Sequence, residues 1–579
     1  MDDFRDQDVA VVGSPSSNTV LTLDVLLEAT AERLVGSLLA LDSAQDGVAL
    51  NVIGQVTSIG LSNRWHEDSV FRNLLKRTGE IPPITNRQDT RTAEFTVGAT
   101  FRQGSAGWEP GVLGMVPSTG SRVRRVTQPL LSQLLKLYEE EIFYLGQAYA
   151  NDVMYPMWLK HFGSGPRGLG EAYHLGIFGR TGSGKSGLAK MLLLGYARHP
   201  EMGILIIDPQ GEFALEVGGR SVGKQELPVQ NVLRKLGRPI QVYSIAQLQL
   251  TEWELLEEML SHLRFFEQVG IPAGSTDNAR RAAEVVRFAL QRRGQKLSQL
   301  DSSGSLDIAL DALQDSQLSL QVYSTPARAQ QLVDFINAVR GDAARMEEVR
   351  KRWEKIASLF RAAPGKRQIR GIIADLLGAE TQGPRPIVVI DISDQGNRAV
   401  WFEDLERRLL IDLLQGLIGS SRVSLSSGDS ANVLVILDEA HRHAPAGRIQ
   451  EGHAGILQTL LRRAVRETRK YGIGWMFVSQ TLGGLDSEIA EQMRIHFFGF
   501  GLALGEEQRR LSQFAGGDRH AMDLYQSFRD PQAFPSKDLR EFPFMVTGPI
   551  SPLSFAGKPV FFTAFTDSDR FLSVNRLRR

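Results

Sequence analysis

GRTGSGKS, residues 179–186, decides how this chain of 579 residues is read. The octet matches GxxxxGK[ST] and stands in the context that gives the pattern meaning. The apolar run HLGIF precedes it, and GLAKMLLLGYARH follows it with the composition of a helix. Glycines let backbone N–H groups curl around phosphate oxygens, and the start of the following helix adds partial positive charge. Gly179, Thr181, Gly182, Ser183 and Gly184 are the candidate cradle, Lys185 the group reaching the β- and γ-phosphates, and Ser186 a magnesium ligand. The expected ligands are therefore ATP and Mg²⁺.

Outward from the octet, the chain alternates buried strands and helices, the pattern of an α/β parallel sheet. MGILIID (202–208), PIVVIDIS (386–393), ANVLVILDEA, GIGWMFVSQ and HFFGFGLAL are the strands. NVLVILDEAH (432–441) delivers Asp438 and Glu439 at a strand's carboxyl end, where α/β sheets bind ligands. Asp438 is the expected magnesium ligand and Glu439 the general base that polarises the attacking water. MFVSQ ends a further strand in Gln480, an amide able to bond a γ-phosphate or the lytic water. The long separation of Lys185 from Asp438 fits a core interrupted by an almost wholly helical stretch. Within that stretch Thr276-Asp277 and Thr325-Pro326 are the expected helix starts.

LRRAVRETRKYG (461–472) carries Arg462, Arg463, Arg466, Arg469 and Lys470 in a helix, with spacings of three and four that gather Arg462, Arg466 and Arg469 toward one face. Such a run is either a solvated basic face or a source of arginine fingers for a neighbouring subunit's nucleotide. His441, His443 and His453 lack a carboxylate or cysteine at metal-site spacing and read as loop and helix-cap histidines.

The amino-terminal 125 residues are β-rich. TAEFTVGATF sets Ala93, Phe95, Val97, Ala99 and Phe101 on one side and Glu94, Thr96 and Thr100 on the other, a half-buried strand. LNVIGQVTSI (50–59) is a second strand, and glycine-rich turns around them suggest a small barrel or sandwich. LSQLLKLYEEEIFYLGQAY (131–149) reads as helical. Composition bounds the rest. At about 150 residues per domain the length allows three to four units. Sixty-six basic and sixty-six acidic residues cancel, so nucleic acid would be held by a local patch and not by global charge. The absence of cysteine excludes disulfides, thiolate metal sites and a cysteine nucleophile. An acidic start, MDDFRDQD, and no apolar run near the roughly 20 residues that span a bilayer make a cytoplasmic protein with no membrane partner the expectation.

In order, the β-rich start, GRTGSGKS, IIDPQGEF (206–213), the helical stretch, ILDEAH, RETRKYG and VSQ resemble the HerA branch of the HerA/FtsK translocase ATPases. The resemblance implies an N-terminal HerA-type β-barrel over 8–125, a helical linker over 126–169, a RecA-like core in two parts, 170–251 and 381–550, a helical insertion over 252–380, and a C-terminal strand and basic tail over 551–579. It implies a homo-oligomeric, usually hexameric ring that moves along double-stranded DNA in its central channel. The partner would be a NurA-like nuclease or a nuclease or sirtuin-like defence effector. By the same similarity Lys185 and Ser186 serve the phosphates, Asp438 and Glu439 the magnesium and water, and Gln480 senses nucleotide. Arg466 and Arg469 become the finger candidates, and Arg167 sits where some relatives carry another trans-acting arginine. Arg220 and Lys224, after the Asp208 strand, are candidate DNA contacts. The competing reading is an ATP-gated scaffold that recruits an effector with little translocation of its own. A monomeric kinase or GTPase switch is disfavoured by Glu439 and by the lack of an NKxD motif.

Overall fold

Six antiparallel strands of the amino-terminal region close on themselves. The computed structural model describes residues 8–79, 88–165, 168–220, 227–300, 303–379, 383–393, 402–426, 428–448, 451–536, 539–554 and 557–577. Strands β1 (Asp8–Val12), β2 (Val20–Val25), β3 (Leu38–Gln45), β4 (Val48–Ser62), β5 (Thr90–Gln103), β6 (Trp108–Gly111) and β7 (Arg122–Arg125) form the first sheet. Its order is β2-β1-β7-β3-β4-β5, and β5 returns to β2, so the barrel has no open edge; β6 attaches to β5. Val9, Leu21, Leu39, Val52, Phe95 and Val123 fill the interior. The alternation of β5 holds only from Ala93 to Val97, which face that interior; a bulge at Gly98 then switches the faces, so that Ala99 and Phe101, expected on the same side, pack outside the barrel with Leu38, Ala40 and Ile53. Thr96, on the outer side, is buried where the barrel wall rests on the rest of the chain, and Thr100, opposite Val52, is buried on the inner side. Glu94 pairs with His520 at 2.8 Å. A Cβ on Gly98 would come within 2.6 Å of the Leu553 carbonyl.

The second sheet has eleven strands. After β8 (Ile142–Ala148) and β9 (Met154–Trp158) come β10 (Leu175–Phe178), β11 (Gly203–Asp208), β12 (Ile240–Ser244), the short β13 (Leu248–Gln249) and β14 (Arg367–Gln368), and β15 (Ile387–Asp391). Then follow β16 (Val433–Leu437), β17 (Ile473–Ser479), β18 (Ile495–Phe498), β19 (Phe542–Thr547) and β20 (Val560–Ala564). The order β12-β15-β11-β16-β17-β10-β18 is parallel throughout, and β19-β20-β8-β9 continues it antiparallel. Runs such as VLVIL and GILII are buried along their whole length, as strands covered on both faces must be. This sheet is the α/β core. Helices fill the chain between β13 and β14, and those two short strands pair in parallel, clasping the start and end of the helical stretch. Helices begin at Thr276 and at Pro326, the latter with proline in its first turn.

Two sequence expectations change. Among the described residues of the helical linker read over 126–169, only Gln128–Leu134 is an α-helix, followed by a short turn of 3₁₀ helix. The chain then turns through Glu139–Glu141 and runs out as β8 and β9. IFYLGQA is rich in aromatic and β-branched residues and buries Phe143 and Leu145 completely, so pairing with β20 outweighs its helix-like spacing. The C-terminal segment, 551–579, holds β20 but ends in a helix, Ser568–Val574, capped by Asp567. Phe571 packs edge-on against Phe143, with ring centres 5.7 Å apart, which anchors this helix. Barrel and core are joined through Gln55: its Nε2 donates to the carbonyls of Gly36 (2.7 Å) and Phe561 (3.2 Å), and its Oε1 accepts from the Phe561 N–H (3.0 Å). Among the described residues no helix is long and apolar enough to cross a membrane.

Candidate active site

Because β10, β11, β16 and β17 run parallel, their carboxyl ends emerge on one rim. That rim collects Gly179, Asp208, Asp438 and Gln480, each at or one residue past its strand. The loop after β10 uses left-handed backbone at Gly182 and Gly184 (φ of 83° and 87°), and Gly184 opens the helix Lys185–Ala197. At Gly179 a side chain would stand 2.6 Å from Ser183 Oγ, so the loop closes only around glycine there. Ser183 Oγ is buried and has no hydrogen-bond partner.

Lys185 is buried, and its Nζ donates to the Arg180 carbonyl at 3.0 Å. Burial pulls its pKa down, while Glu439 and Asp438 hold it up; both carboxylates thus lie close enough to feel the ammonium. The Asp438 carboxyl is pushed up to about 7, first by burial and then by its neighbour Glu439. Asp208 is wholly buried and is pushed up to about 6 by burial, against three backbone N–H bonds from Gln210, Gly211 and Ala214. It shapes the turn after β11.

Glu439 adopts left-handed backbone (φ 46°), uncommon for a side-chain-bearing residue and of the kind that clusters at functional sites. Its Oε1 accepts from Gln480 Nε2 (2.7 Å) and from Gln210 Nε2 (2.6 Å). Gln480 Oε1 in turn accepts from Thr181 Oγ1 at 3.1 Å, which ties the phosphate loop to the acid. His441 Nδ1 stands 3.4 Å from Glu439 Oε2 and 3.3 Å from Ser479 Oγ. Lys185, Asp438, Glu439, Gln480 and Thr181 therefore converge. Gln210 was not singled out by sequence reasoning. The signal was available in IIDPQGEF: a polar residue two places beyond a buried strand end lies on the ligand rim.

The arginines lie elsewhere. Arg466 and Arg469 precede β17, at the strand end opposite the rim that carries Gln480. Their side chains are 55% and 63% exposed and pair with Glu488 and Glu171. Neither serves the phosphate loop of its own chain. Arg462 is held by Asp486 (Nε 2.8 Å) and Glu488 (3.1 Å), an internal brace. His443 is buried 3.6 Å from Glu406, and burial holds it neutral, down to about 3; His453 stands 3.3 Å from Glu258. Arg220 is exposed after the helix Glu212–Val217; Arg167 and Lys224 lie outside the described residues.

Residues 172–401 match the family model described as the central domain of the helicase HerA. Comparison with curated proteins finds no match. Among solved structures the chain is similar to VirB4 of Thermoanaerobacter pseudethanolicus, at 15% identity over 73% of this chain and 96% of that one (TM-score 0.35). It is also similar to the bacterial conjugative coupling protein TrwB, at 13% identity over 76% and 92% (TM-score 0.35). A third is the genome packaging NTPase B204 of Sulfolobus turreted icosahedral virus 2 in complex with AMPPCP, at 11% identity over 68% and 98% (TM-score 0.28).

Proposed function

We propose, from the match of residues 172–401 to the HerA helicase central-domain model, that the chain hydrolyses ATP to drive movement along double-stranded DNA as a ring of identical subunits. The observation that carries the reading is Glu439, a carboxylate held by two amides on the same rim as the Lys185 loop. Lys185 binds the β- and γ-phosphates, and the glycine loop supplies N–H donors to the remaining oxygens. Glu439 takes the proton of the attacking water, while Gln480 and Gln210 fix its Oε1 and leave the other oxygen to do so. The donor set suits magnesium. Asp438 is a buried carboxyl whose charge calls for a cation, and Ser186 stands in the first turn of the loop's helix. Magnesium, when bound, neutralises charge on the phosphate oxygens. Steady-state hydrolysis with and without duplex DNA is the direct test: no ATP turnover under either condition would overturn the reading.

Gln210 acts by position. Its bond to a charged acceptor is of the kind whose loss costs about 10- to 100-fold. Gln210→Ala is therefore expected to lower kcat by about that factor with KM for ATP nearly unchanged, because Lys185 and the loop are untouched. A rise in KM alone would mean that Gln210 serves binding and not the acid.

Duplex DNA is expected to bind without sequence preference, in the channel of the ring, with Arg220 and Lys224 among the contacts. Phosphate contacts carry no base information, and log K should fall with log salt at about −0.9 per phosphate neutralised. Affinities for unrelated duplexes across a salt series measure this; a strong preference for one sequence contradicts it. We assign the motor to work beside a nuclease or sirtuin-like effector, in DNA end processing or antiphage defence. An effector activated fully by a hydrolysis-dead ring would instead favour the scaffold reading.

A further inference from the structure

At the amino end of β11, opposite the rim that carries Glu439, two histidines and a glutamate converge. His161 follows β9, His199 follows the helix Lys185–Ala197, and Glu201 precedes β11. One possible ligand atom from each lies within 4.8 Å of the other two, the one such trio among the described residues. His161 Nε2 and Glu201 Oε1 are 3.0 Å apart, and the two imidazole centres 5.2 Å. The three come from segments far apart in sequence, and no local spacing announces them.

The surroundings hold these groups in place. Asn432 accepts from the Phe162 N–H (2.9 Å) and donates to the Glu201 carbonyl (3.0 Å), so one side chain fastens the segments that carry His161 and Glu201. Arg238 donates to the carbonyls of Ala197 and His199, both at 2.9 Å, and fixes the turn between the helix and β11. His199 Nε2 faces the Leu159 carbonyl at 2.5 Å. A carbonyl only accepts, so the ring proton sits on Nε2 and Nδ1 keeps its lone pair. Metal-bound histidines are commonly oriented by such a bond from their other nitrogen. Burial lowers the pKa of both rings, that of His199 to about 4, so at neutral pH both are uncharged and the His161–Glu201 contact is not an ion pair.

We propose that His161, His199 and Glu201 bind a divalent transition metal, zinc by preference, with a fourth position open to solvent. The inference does not rest on the chemistry of the phosphate loop. Two nitrogen donors and a carboxylate suit zinc, whereas magnesium and calcium take oxygen ligands. Tetrahedral bonds of about 2.0–2.1 Å set donor atoms roughly 3.3 Å apart, close to the His161–Glu201 spacing. The Glu201 side chain is 45% exposed, which gives a metal its way in. The Gly163 N–H donates to His161 Nδ1 at 3.1 Å, so the His161 proton sits on Nε2, facing Glu201. Ligation at Nε2 moves that proton to Nδ1, and the Gly163 N–H releases the ring. The metal then joins the end of the helix Lys185–Ala197 to the segment that leads from β9 toward β10.

Isothermal titration of the tag-free, full-length protein with zinc chloride, in excess magnesium, tests the site. The wild type is expected to bind zinc. Glu201→Gln, at an exposed position, and His199→Ala are each expected to weaken that binding by more than the roughly 10- to 100-fold that loss of a supporting partner costs. Thermal unfolding gives a second readout: zinc should raise the Tm of the wild type and leave that of the variants unchanged. The same melts without zinc show whether each variant is folded, and Glu201→Gln decides the matter if His199→Ala is not. A wild type that binds no zinc, or unchanged zinc affinity in either folded variant, overturns the site.

Discussion

Glu439→Gln is expected to bind ATP and fail to turn it over, whereas Lys185→Ala is expected to lose ATP. In the proposed reaction the two residues, though neighbours, act at different moments. Lys185 meets phosphate charge already present in the ground state, so its removal costs affinity; a charge-assisted bond of this kind is worth about 10-fold or more. Glu439 contributes only as the water loses its proton, and positioned general bases supply about 10²- to 10⁴-fold. Glutamine keeps the shape of the site. The amide oxygen at position 439 can still accept from Gln210 and Gln480, both 2.6–2.7 Å away, so the loop tie through Thr181 survives. It also removes a negative charge near the phosphates, which leaves ATP affinity equal or higher. Equilibrium binding and single-turnover hydrolysis on both variants separate these effects. Equal loss of ATP affinity in the two would contradict the division of roles.

Features of this fold are legible in the chain where they are local. The glycine-rich loop was legible because strand, glycines, lysine and helix are contiguous, and the alternation of β5 was legible from Ala93 to Val97, where its period of two is written into neighbouring residues; the bulge at Gly98 that switches the faces of Ala99 and Phe101 depends on the pairing with β4. What the chain hides is strand order. Gln210 touches Glu439 only because β11 and β16 are adjacent, pairing Ile207 with Leu437, and nothing within either segment states that they pair. The same limit explains β8. Its residues carry helix-like spacing, and the partner that makes them a strand, β20, lies more than four hundred positions downstream. Thr96 marks a third case: a polar face announces solvent unless another part of the fold covers it.

Strand direction also decides what the basic helix can do. Arg466 and Arg469 lie at the beginning of β17 and the phosphate loop at the end of its neighbour β10, so a strand's length separates them within one chain. Any catalytic part they play must therefore be played on another subunit's nucleotide. Their present partners, Glu488 and Glu171, make exposed pairs of the kind worth little, which a phosphate could displace. If either is a finger, its alanine variant should assemble and bind ATP yet hydrolyse about 10³- to 10⁵-fold more slowly. Mixing then reveals the geometry. A finger-deficient subunit retains its phosphate loop and Glu439, and a Glu439→Gln subunit retains its arginine. Where the second presents its arginine to the first, one site is complete. Two inactive preparations should thus regain part of the activity when co-assembled, in proportion to such interfaces. Full activity in both single alanine variants would leave these arginines as a solvated basic face. Co-assembled mixtures that stay inactive would argue against a site shared between subunits.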